Sequence, residues 1–282
     1  MDGAMKIKFL GTAAAEGLPA VFCNCSVCTR AKAAGGKDLR TRSQILIDDS
    51  MLIDFPMDTY MHTVANKLDL SRIENVFITH AHMDHCYPME LVLRGAPYAH
   101  YMTVPILNVY GNATVIKRIK RQTADELEPA AKKSLALKIL KPYDSVRAGR
   151  YAVTALPAVH TKGENCFIYL VEKPGTAFMQ FNDSGILPDS VYEFLAGRSV
   201  KLDAVSFDCT YGYLKKGPGR HMGMLDNAGE RERMKKFGIV KDSAKYILTH
   251  FSHNGGLLHG ELEEKCKESG FIAAYDNFSI TI

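Results

Sequence analysis

Three histidines and an aspartate lie within six consecutive positions of the chain, in the segment ITHAHMDHCYPMEL at residues 78–91. The whole chain has only ten histidines among its 282 residues, so this density is unusual. His80 and His82 are two residues apart, and an extended backbone directs both imidazoles to the same side. Asp84 and His85 follow where the chain turns toward the next helix, and they can face a second ion. Imidazole and carboxylate are ligands of zinc, manganese and iron at open catalytic sites.

Several later apolar runs also end in a residue that can bind or orient a metal. Each run is short or β-branched and predicts a buried strand. A single histidine at a strand end is more often a satisfied polar residue, whereas several strand ends that meet at one edge build a site on a rigid scaffold. The runs are NVFIT before His80, VTALPAV before His160, AFMQFN before Asp183, KYILT before His250, AVSF before Asp208 and MLI before Asp54.

His160, Asp183 and His250 extend the candidate ligand set to seven residues, which is enough for two ions. Asp183 can use both carboxylate oxygens and bridge ions about 3.5–4 Å apart, the separation typical of two-metal hydrolytic sites. The alternative is a chance cluster in a polar loop, which leaves the later partners unexplained.

Helical patterns separate the predicted strands, and this alternation predicts an α/β layered fold. Turn residues at Asp49–Ser50 and Pro174–Gly175 lie between neighbouring apolar runs and predict two hairpins, so the sheet is expected to be mixed. The predicted helices cover residues 56–68, 86–94, 113–134, 186–197, 223–237 and 260–269.

The composition is that of a well-packed soluble protein, with 46% hydrophobic and 23% charged residues. No run approaches the roughly 20 apolar residues that span a bilayer, and the N-terminal segment lacks the features of a signal peptide. Seven cysteines are an odd number, and three of them occur in CNCSVC. This usage favours metal thiolates in a reducing compartment over disulfides, so we expect a cytoplasmic protein without a membrane partner.

The net charge of +4 is mild, and the most basic stretch, KRIKRQTADELEPAAKKS, mixes both signs at helical spacing. This pattern is typical of a solvated helix face. A protein that binds nucleic acid through phosphate contacts usually has a stronger basic bias, so nucleic acid is a disfavoured partner. In the absence of repeats or linker-like segments, we expect one domain over residues 1–282.

The order His80-x-His82-x-Asp84-His85, followed by His160, Asp183 and His250, resembles the signature of the metallo-β-lactamase fold over essentially the whole chain. The resemblance implies an αββα sandwich of two mixed β-sheets flanked by helices, with a dinuclear site at one rim. It further implies that Asp54 orients a ligating histidine from beneath the site. The implied ligands are His80, His82 and His160 for the first ion, Asp84, His85 and His250 for the second, and Asp183 as the bridge.

The opening segment FLGTAAAEGLPAVFCNCSVCTRA is similar to that of the PhnP-type phosphodiesterases. Three thiolates this close wrap readily around a tetrahedral zinc, and the alternative is three buried free thiols. The resemblance supplies a fourth ligand, His253, and implies a small zinc-binding loop at 22–30 that contains Cys23, Cys25 and Cys28. The turn GTAAAEGLPA departs from the family pattern beside the expected pocket, which leaves the substrate open. The other cysteines, Cys86, Cys166, Cys209 and Cys266, are expected to be packing residues.

The segment SFDCTYGYLKKGPGRHMGM fits a third feature of this family, a histidine in a loop after a strand that ends in aspartate. It singles out His221 after Asp208, and the tripeptide HMG also occurs in the related PqqB proteins. With Asp84, His221 is a catalytic candidate, as a general acid or as a substrate-binding residue. Its alternative is a surface histidine at a helix N-terminus. The remaining histidines, His62, His100 and His259, are expected to be structural or exposed.

The resemblance implies a phosphodiesterase that acts on a small phosphate ester, cyclic substrates included. It would use two divalent ions, zinc or manganese, that activate a water, with one further structural zinc, while His221 would protonate the leaving alkoxide. A nuclease of the same fold would need an extended basic surface. A non-hydrolytic protein of the PqqB kind tends to lack part of the ligand set, and lactonases and lactamases usually lack the cysteine site. A homodimer is compatible with the sequence.

Overall fold

A computed structural model describes residues 3–282 of the chain. Within that range no helix is both long enough and apolar enough to cross a membrane. The strands are β1 (Lys6–Gly11), β2 (Gln44–Ile47), β3 (Met51–Ile53), β4 (Asn75–Phe77), β5 (Leu107–Gly111), β6 (Leu135–Ile139), β7 (Ser145–Ala148), β8 (Tyr151–Pro157), β9 (Phe167–Lys173), β10 (Thr176–Phe181), β11 (Leu202–Asp208), β12 (Val240–Thr249), β13 (Ile272–Ala273) and β14 (Phe278–Thr281). The helices are α1 (Ser26–Ala34), α2 (Thr59–Asn66), α3 (Ala113–Gln122), α4 (Pro129–Lys133), α5 (Asp189–Gly197), α6 (Met224–Lys236) and α7 (His259–Ser269).

The strands form two seven-stranded sheets, in the orders β14-β1-β2-β3-β4-β5-β6 and β13-β12-β11-β10-β9-β8-β7. Both sheets are mixed. In the first sheet β3 to β6 are parallel and the pairs β14–β1, β1–β2 and β2–β3 are antiparallel. In the second sheet β10 to β13 are parallel and β7 to β10 are antiparallel. This architecture confirms the expected αββα sandwich.

The main core lies between the two sheets, because each sheet turns an apolar face toward the other. Phe9 and Phe77 of the first sheet and Val153 and Phe178 of the second belong to one cluster and are fully buried. The outer faces are covered by helices: Val115 of α3 packs on the first sheet, and α5 packs on the second. Burial of each such side chain stabilises the fold by about 1.5–3 kcal/mol.

Both predicted hairpins are present. Strands β2 and β3 pair through Ile47 and Met51, and the turn uses Asp48 and Asp49 in the left-handed region, with φ of 45° and 55°. Aspartate tolerates this conformation better than most residues. Strands β9 and β10 pair up to Lys173 and Thr176, with Gly175 at φ +79° in the turn.

Two of the predicted helices differ from the structure in helix type or in extent. Residues 86–94 form only a short 3₁₀ helix, Pro88–Leu93, and the chain leaves it at Arg94 in an extended conformation, with φ −83° and ψ 90°. Residues 113–134 form two helices, α3 and α4, and not one. Pro129 is the first residue of α4, where its missing N–H costs nothing, whereas within one long helix it would break a hydrogen bond.

The cysteine segment, expected to be a loop at 22–30, becomes helical at Ser26, so that Cys28 lies on α1 while Cys23 and Cys25 precede it. The strand ends converge as predicted. The carboxyl ends of β3 and β4 in one sheet and of β8, β10, β11 and β12 in the other open onto the same rim of the sandwich. The residues that follow or end these strands are Asp54, His80, His160, Asp183, Asp208 and His250.

Candidate metal centre

The first group of candidate ligands comes from the loop after β4 and from the ends of β8 and β10. One donor atom from each of its four residues lies within 4.8 Å of the others. The Nε2 atom of His80 is 3.1 Å from Oδ2 of Asp183, and Nε2 of His160 is 3.1 Å from Nδ1 of His82. The members are His80, His82, His160 and Asp183.

The second group lies beside the first and shares one residue with it. Its members are Asp84, His85, Asp183 and His250, again with donor atoms within 4.8 Å of one another. The Nε2 atom of His85 is 3.1 Å from Oδ2 of both Asp84 and Asp183. Because Asp183 belongs to both groups, its carboxylate lies between two potential ion positions. The structure thus brings together all seven ligands expected from the sequence, in the expected two sets.

The donor atoms of these groups fit divalent metal ions. The Nε2 atoms of His80, His85 and His250 and the Oδ1 atom of Asp183 are buried. Their nearest polar neighbours in the cluster lie 3.0–3.9 Å away, but among residues 3–282 none of these contacts has the geometry of a hydrogen bond. Buried polar atoms in folded proteins are almost always paired. Imidazole nitrogens and carboxylate oxygens that converge without a partner are suited to metals that accept mixed nitrogen and oxygen ligands.

Three residues at the rim adopt the left-handed backbone conformation, which is unfavourable for residues other than glycine. Asp54, Asp183 and His250 have φ values of 67°, 52° and 59°. The left-handed conformation costs on the order of 1–2 kcal/mol for an L-residue and persists only where the surrounding structure fixes it, commonly at functional sites. In each case it falls where a strand has just ended.

Hydrogen bonds from outside the ligand set orient the histidines. The carboxylate of Asp54 lies 2.7 Å from Nδ1 of His85 and accepts hydrogen bonds from the backbone N–H and the hydroxyl of Thr79, both at 2.8 Å. The hydroxyl of Thr210 lies 2.9 Å from Nδ1 of His250. Such partners fix the ring orientation and leave Nε2 free for a metal. Asp54 thus lies against a candidate ligand, where the resemblance places it. Neither threonine was predicted from the sequence, because threonine next to a strand is also explained by β-propensity.

The backbone between His80 and His82 is held from both sides. Glu164 accepts a hydrogen bond from the N–H of Ala81 at 2.9 Å, and Arg118 on α3 donates one to its carbonyl at 2.7 Å. Neither residue was singled out from the sequence, since each acts on a segment at least 36 positions away, and nothing local marks it.

Burial and charge act against each other at the centre. Burial disfavours charge on His85, but the carboxylates of Asp84 and Asp54 outweigh it and raise the pKa of His85 well above its usual value. Burial likewise opposes ionisation of Asp183, yet the surrounding histidines hold the pKa of its carboxyl well below its usual range. For His160 burial prevails and lowers the pKa to about 3. These are the mutual shifts expected for a compact cluster of acids and bases.

His221 lies at the mouth of the centre, 21% exposed, and is not a remote surface histidine. Its Nδ1 atom is 3.0 Å from Oδ1 of Asp183 and 3.0 Å from Oδ2 of Asp208. Burial opposes its charge, but these two carboxylates raise the pKa of His221 to about 11. It borders a cavity of about 360 Å³ that is lined also by Glu16, Tyr211, Arg220 and Asn254.

The cysteine cluster joins three cysteines near the start of the chain to a histidine more than 200 positions later. The Nδ1 atom of His253 lies 3.4 Å from Sγ of both Cys23 and Cys25, and donor atoms of these residues and Cys28 lie within 4.8 Å of one another. The N–H of Cys28 and the imidazole of His253 lower the pKa of Cys25 to about 6, which favours its thiolate. Burial raises the pKa of Cys28 to about 11, so this thiol becomes a thiolate only with a bound cation to offset its burial. The other four cysteines are buried.

The sequence of the central part of the chain matches a family model, the β-lactamase superfamily domain, over residues 44–251. The chain belongs to this superfamily. The matched span includes all seven residues of the two metal-ligand groups, while Cys23, Cys25, Cys28 and His253 lie outside it. The superfamily and fold expected from the sequence are therefore confirmed.

Three similar proteins cover almost the whole chain. The coenzyme PQQ synthesis protein B of Methylorubrum populi is 24% identical over 99% of this chain and 100% of its own length. The crystal structure of a diphosphatase from the PhnP family has a TM-score of 0.75 at 20% identity and covers 99% of this chain and 97% of that protein. The structure of Zn²⁺-bound PqqB from Methylobacterium extorquens has a TM-score of 0.74 at 18% identity, with coverages of 98% and 99%. At these identities the structural matches show a shared fold.

Proposed function

We propose that the protein is a metal-dependent hydrolase that cleaves a small phosphate diester. The observation that carries this proposal is the pair of ligand groups that share Asp183, with His221 in contact with the shared carboxylate. A carboxylate shared by two ligand groups can hold two ions about 3.5–4 Å apart, the separation typical of two-metal hydrolytic sites. His221 adds a group that can hold a proton beside it.

His80, His82 and His160 would hold one ion, Asp84, His85 and His250 the other, and Asp183 both. When bound, the two ions supply a water of lowered pKa and positive charge for the phosphoryl oxygens. The chain contributes orientation: Asp54 and Thr210 fix two of the ligating rings from behind.

In this proposal His221 serves the leaving group. Because its Nδ1 atom faces Asp208 and Asp183, Nε2 is the ring atom left to hold a proton toward the leaving-group oxygen. Proton donation to an alkoxide contributes typically a hundred- to ten-thousandfold to the rate. Asp208, which is fully buried, stabilises the protonated ring in this orientation.

Arg220 is the second candidate for substrate contact. Its side chain is exposed at the cavity and forms no ion pair among residues 3–282. A guanidinium binds phosphate oxygens through paired N–H donors. A cavity of about 360 Å³ lies at the small end of the range for ligand sites, which supports a small ester over a folded nucleic acid.

The cysteine cluster would hold one structural zinc through Cys23, Cys25, Cys28 and His253. Thiolates and one imidazole are a common set for closed tetrahedral zinc sites. The free state of all the described cysteines supports our placement of the protein in the reducing cytoplasm.

A second candidate function is binding of a metabolite without hydrolysis, as in a PqqB-like protein. It is favoured by the sequence similarity to the coenzyme PQQ synthesis protein B over the whole chain. The complete set of seven ligands at the site favours hydrolysis instead.

A substrate screen separates these candidates. The protein would be assayed with bis-p-nitrophenyl phosphate, an RNA, a lactone, a β-lactam and a thioester, each with added manganese or zinc, and with an Asp183→Ala control. We expect the unaltered protein to hydrolyse the phosphodiester when metal is present. The Asp183→Ala protein should not hydrolyse it. Fully metal-loaded protein that hydrolyses none of these substrates would exclude the proposal and favour metabolite binding.

A further inference from the structure

The loop at residues 211–223, between β11 and α6, carries both Arg220 and His221. Two backbone hydrogen bonds close its base: the N–H of Tyr211 donates to Met222 at 3.1 Å, and the N–H of Met224 donates to Gly212 at 2.8 Å. Most residues between these points are exposed. An exposed loop with three glycines before His221 has many accessible conformations, so something must hold its tip over the cavity.

One buried carboxylate binds the middle and the end of this loop. Asp226 is the third residue of α6 and is 4% exposed. Its Oδ1 atom accepts a hydrogen bond from the N–H of Gly217 at 2.9 Å, and its Oδ2 atom accepts two, from Lys216 at 2.9 Å and Gly223 at 3.0 Å. The bond from Gly223 is the ordinary capping contact of a helix N-terminus. The two from Lys216 and Gly217 reach ten and nine residues back along the chain, respectively, and are not needed for capping.

The opposite side of the loop lies against the strand end that carries Asp183. A Cβ atom on Gly185 would lie 1.8 Å from the carbonyl oxygen of Gly219, so the two backbones are in direct contact. The carbonyl of Arg220 lies 3.4 Å from Nδ1 of His160. The loop is therefore fixed between α6 on one side and the metal-ligand groups on the other.

We propose that Asp226 is a positioning residue, which holds the 211–223 loop through these backbone hydrogen bonds so that His221 stays at the cavity. The inference rests on the proposed function of His221 as the proton donor. An ionised carboxylate is a stronger acceptor for backbone N–H groups than a neutral one. Its loss allows the loop to move, and small displacements of a reacting group reduce rates steeply.

The test uses the full chain with Asp226→Asn. Asparagine has almost the same size, but one acceptor oxygen becomes an NH₂ group, so in either orientation at least one backbone bond is lost. Asp242→Asn is the matched control, since Asp242 is an exposed residue of β12. Three quantities are measured for each protein: bound metal, amide hydrogen exchange at Lys216 and Gly217, and turnover of alkyl and p-nitrophenyl phosphodiesters.

We expect Asp226→Asn to retain its metals, to exchange at least one of the two amides about tenfold faster or more, and to lose about tenfold or more of its turnover on alkyl esters. The loss on p-nitrophenyl esters should be smaller, because that group leaves without a proton. The same substitution in a His221→Ala background should cause little further loss on alkyl esters. Unchanged exchange at the two amides, or equal losses on both ester classes, would overturn the assignment.

The proposal can still be tested if the variant does not fold or if the protein has no phosphodiesterase activity. If Asp226→Asn does not fold, exchange in the unaltered protein decides: Lys216 and Gly217 should be protected relative to Lys215 of the same loop, and equal exchange would contradict the proposal. If the unaltered protein cleaves no phosphodiester, the proposed function fails, while the amide exchange still shows whether Asp226 holds the loop.

Discussion

The imidazole of His221 and the carboxylate of Asp208 form a direct pair, with Nδ1 3.0 Å from Oδ2. Asp208 is itself fixed, because its other oxygen accepts hydrogen bonds from the N–H groups of Met222 at 3.0 Å and Thr210 at 3.1 Å. The ring of His221 thus has a defined orientation. A histidine held by a buried carboxylate is a familiar arrangement for a proton donor or acceptor.

Replacement of His221 by alanine tests its role. His221→Ala should keep both active-site metals, since His221 is outside the two expected ligand sets, and should lose about a hundredfold or more of its turnover on alkyl phosphodiesters. On p-nitrophenyl esters the loss should be much smaller. Steady-state kinetics on both ester classes, with exposed His100→Ala as the control, measures the difference. Equal losses would make His221 a substrate-binding residue, and no loss would leave it without a role in the reaction.

Asp183 should be the least replaceable ligand. Because its carboxylate belongs to both ligand groups, Asp183→Ala should lose occupancy of both ions and all measurable turnover. His82→Ala removes a ligand from one group only and should retain the second ion. Elemental analysis of purified proteins gives the metal content, with Asp242→Ala as the control. An Asp183→Ala protein that keeps two ions and normal turnover would contradict the bridging role.

The positions of the candidate ligands could be predicted from the sequence, because both their residue types and their places in the chain mark them. Metal chemistry restricts ligands to a few residue types, and a rigid strand end is where such residues can converge. His80, His160, Asp183 and His250 each follow an apolar run directly, so type and position point to the same conclusion.

The supporting residues could not be predicted in this way. Thr210, Glu164 and Asp226 act through hydrogen bonds to groups brought close only by the fold, and their residue types are common on any surface or helix N-terminus. The break between α3 and α4 was missed for a different reason. The charged helical pattern continues on both sides of Pro129, and helical spacing alone does not show that this proline begins a second helix.

The cysteine cluster makes a separate prediction about metal content. Purified protein should contain up to three ions per chain, since the cluster shares no residue with the active-site groups. Cys23→Ser should remove one zinc and leave the other two ions in place. Cys266→Ser, which changes a buried cysteine on α7, is the control and should keep all three. Zinc that is absent from both the unaltered protein and Cys23→Ser would rule out the structural site.

Because His62 on α2 is buried, we predict that the stability of the protein varies with pH. This effect does not involve the metal centre. The ring is buried, with Nδ1 2.6 Å from Oε1 of Gln44 and Nε2 2.7 Å from the hydroxyl of Thr41, which also contacts Asp276. Burial lowers the pKa of His62 to about 4, against the opposing charge of Asp58. The unfolded chain, in contrast, protonates this histidine near its ordinary pKa of about 6.5.

The folded state therefore keeps His62 neutral while the unfolded state gains a proton, and the free energy of unfolding falls as the pH drops from about 6.5 to about 4. At pH 5 this one group should account for about 2 kcal/mol of lost stability relative to pH 7.5. His62→Gln lacks the titrating group and should show a correspondingly smaller loss. Urea unfolding at the two pH values, with a chelator present so that metal release does not contribute, measures both proteins. Exposed His100→Gln should behave like the unaltered chain. If His62→Gln loses as much stability between pH 7.5 and 5 as the unaltered protein, then the buried ring is not the source of the dependence.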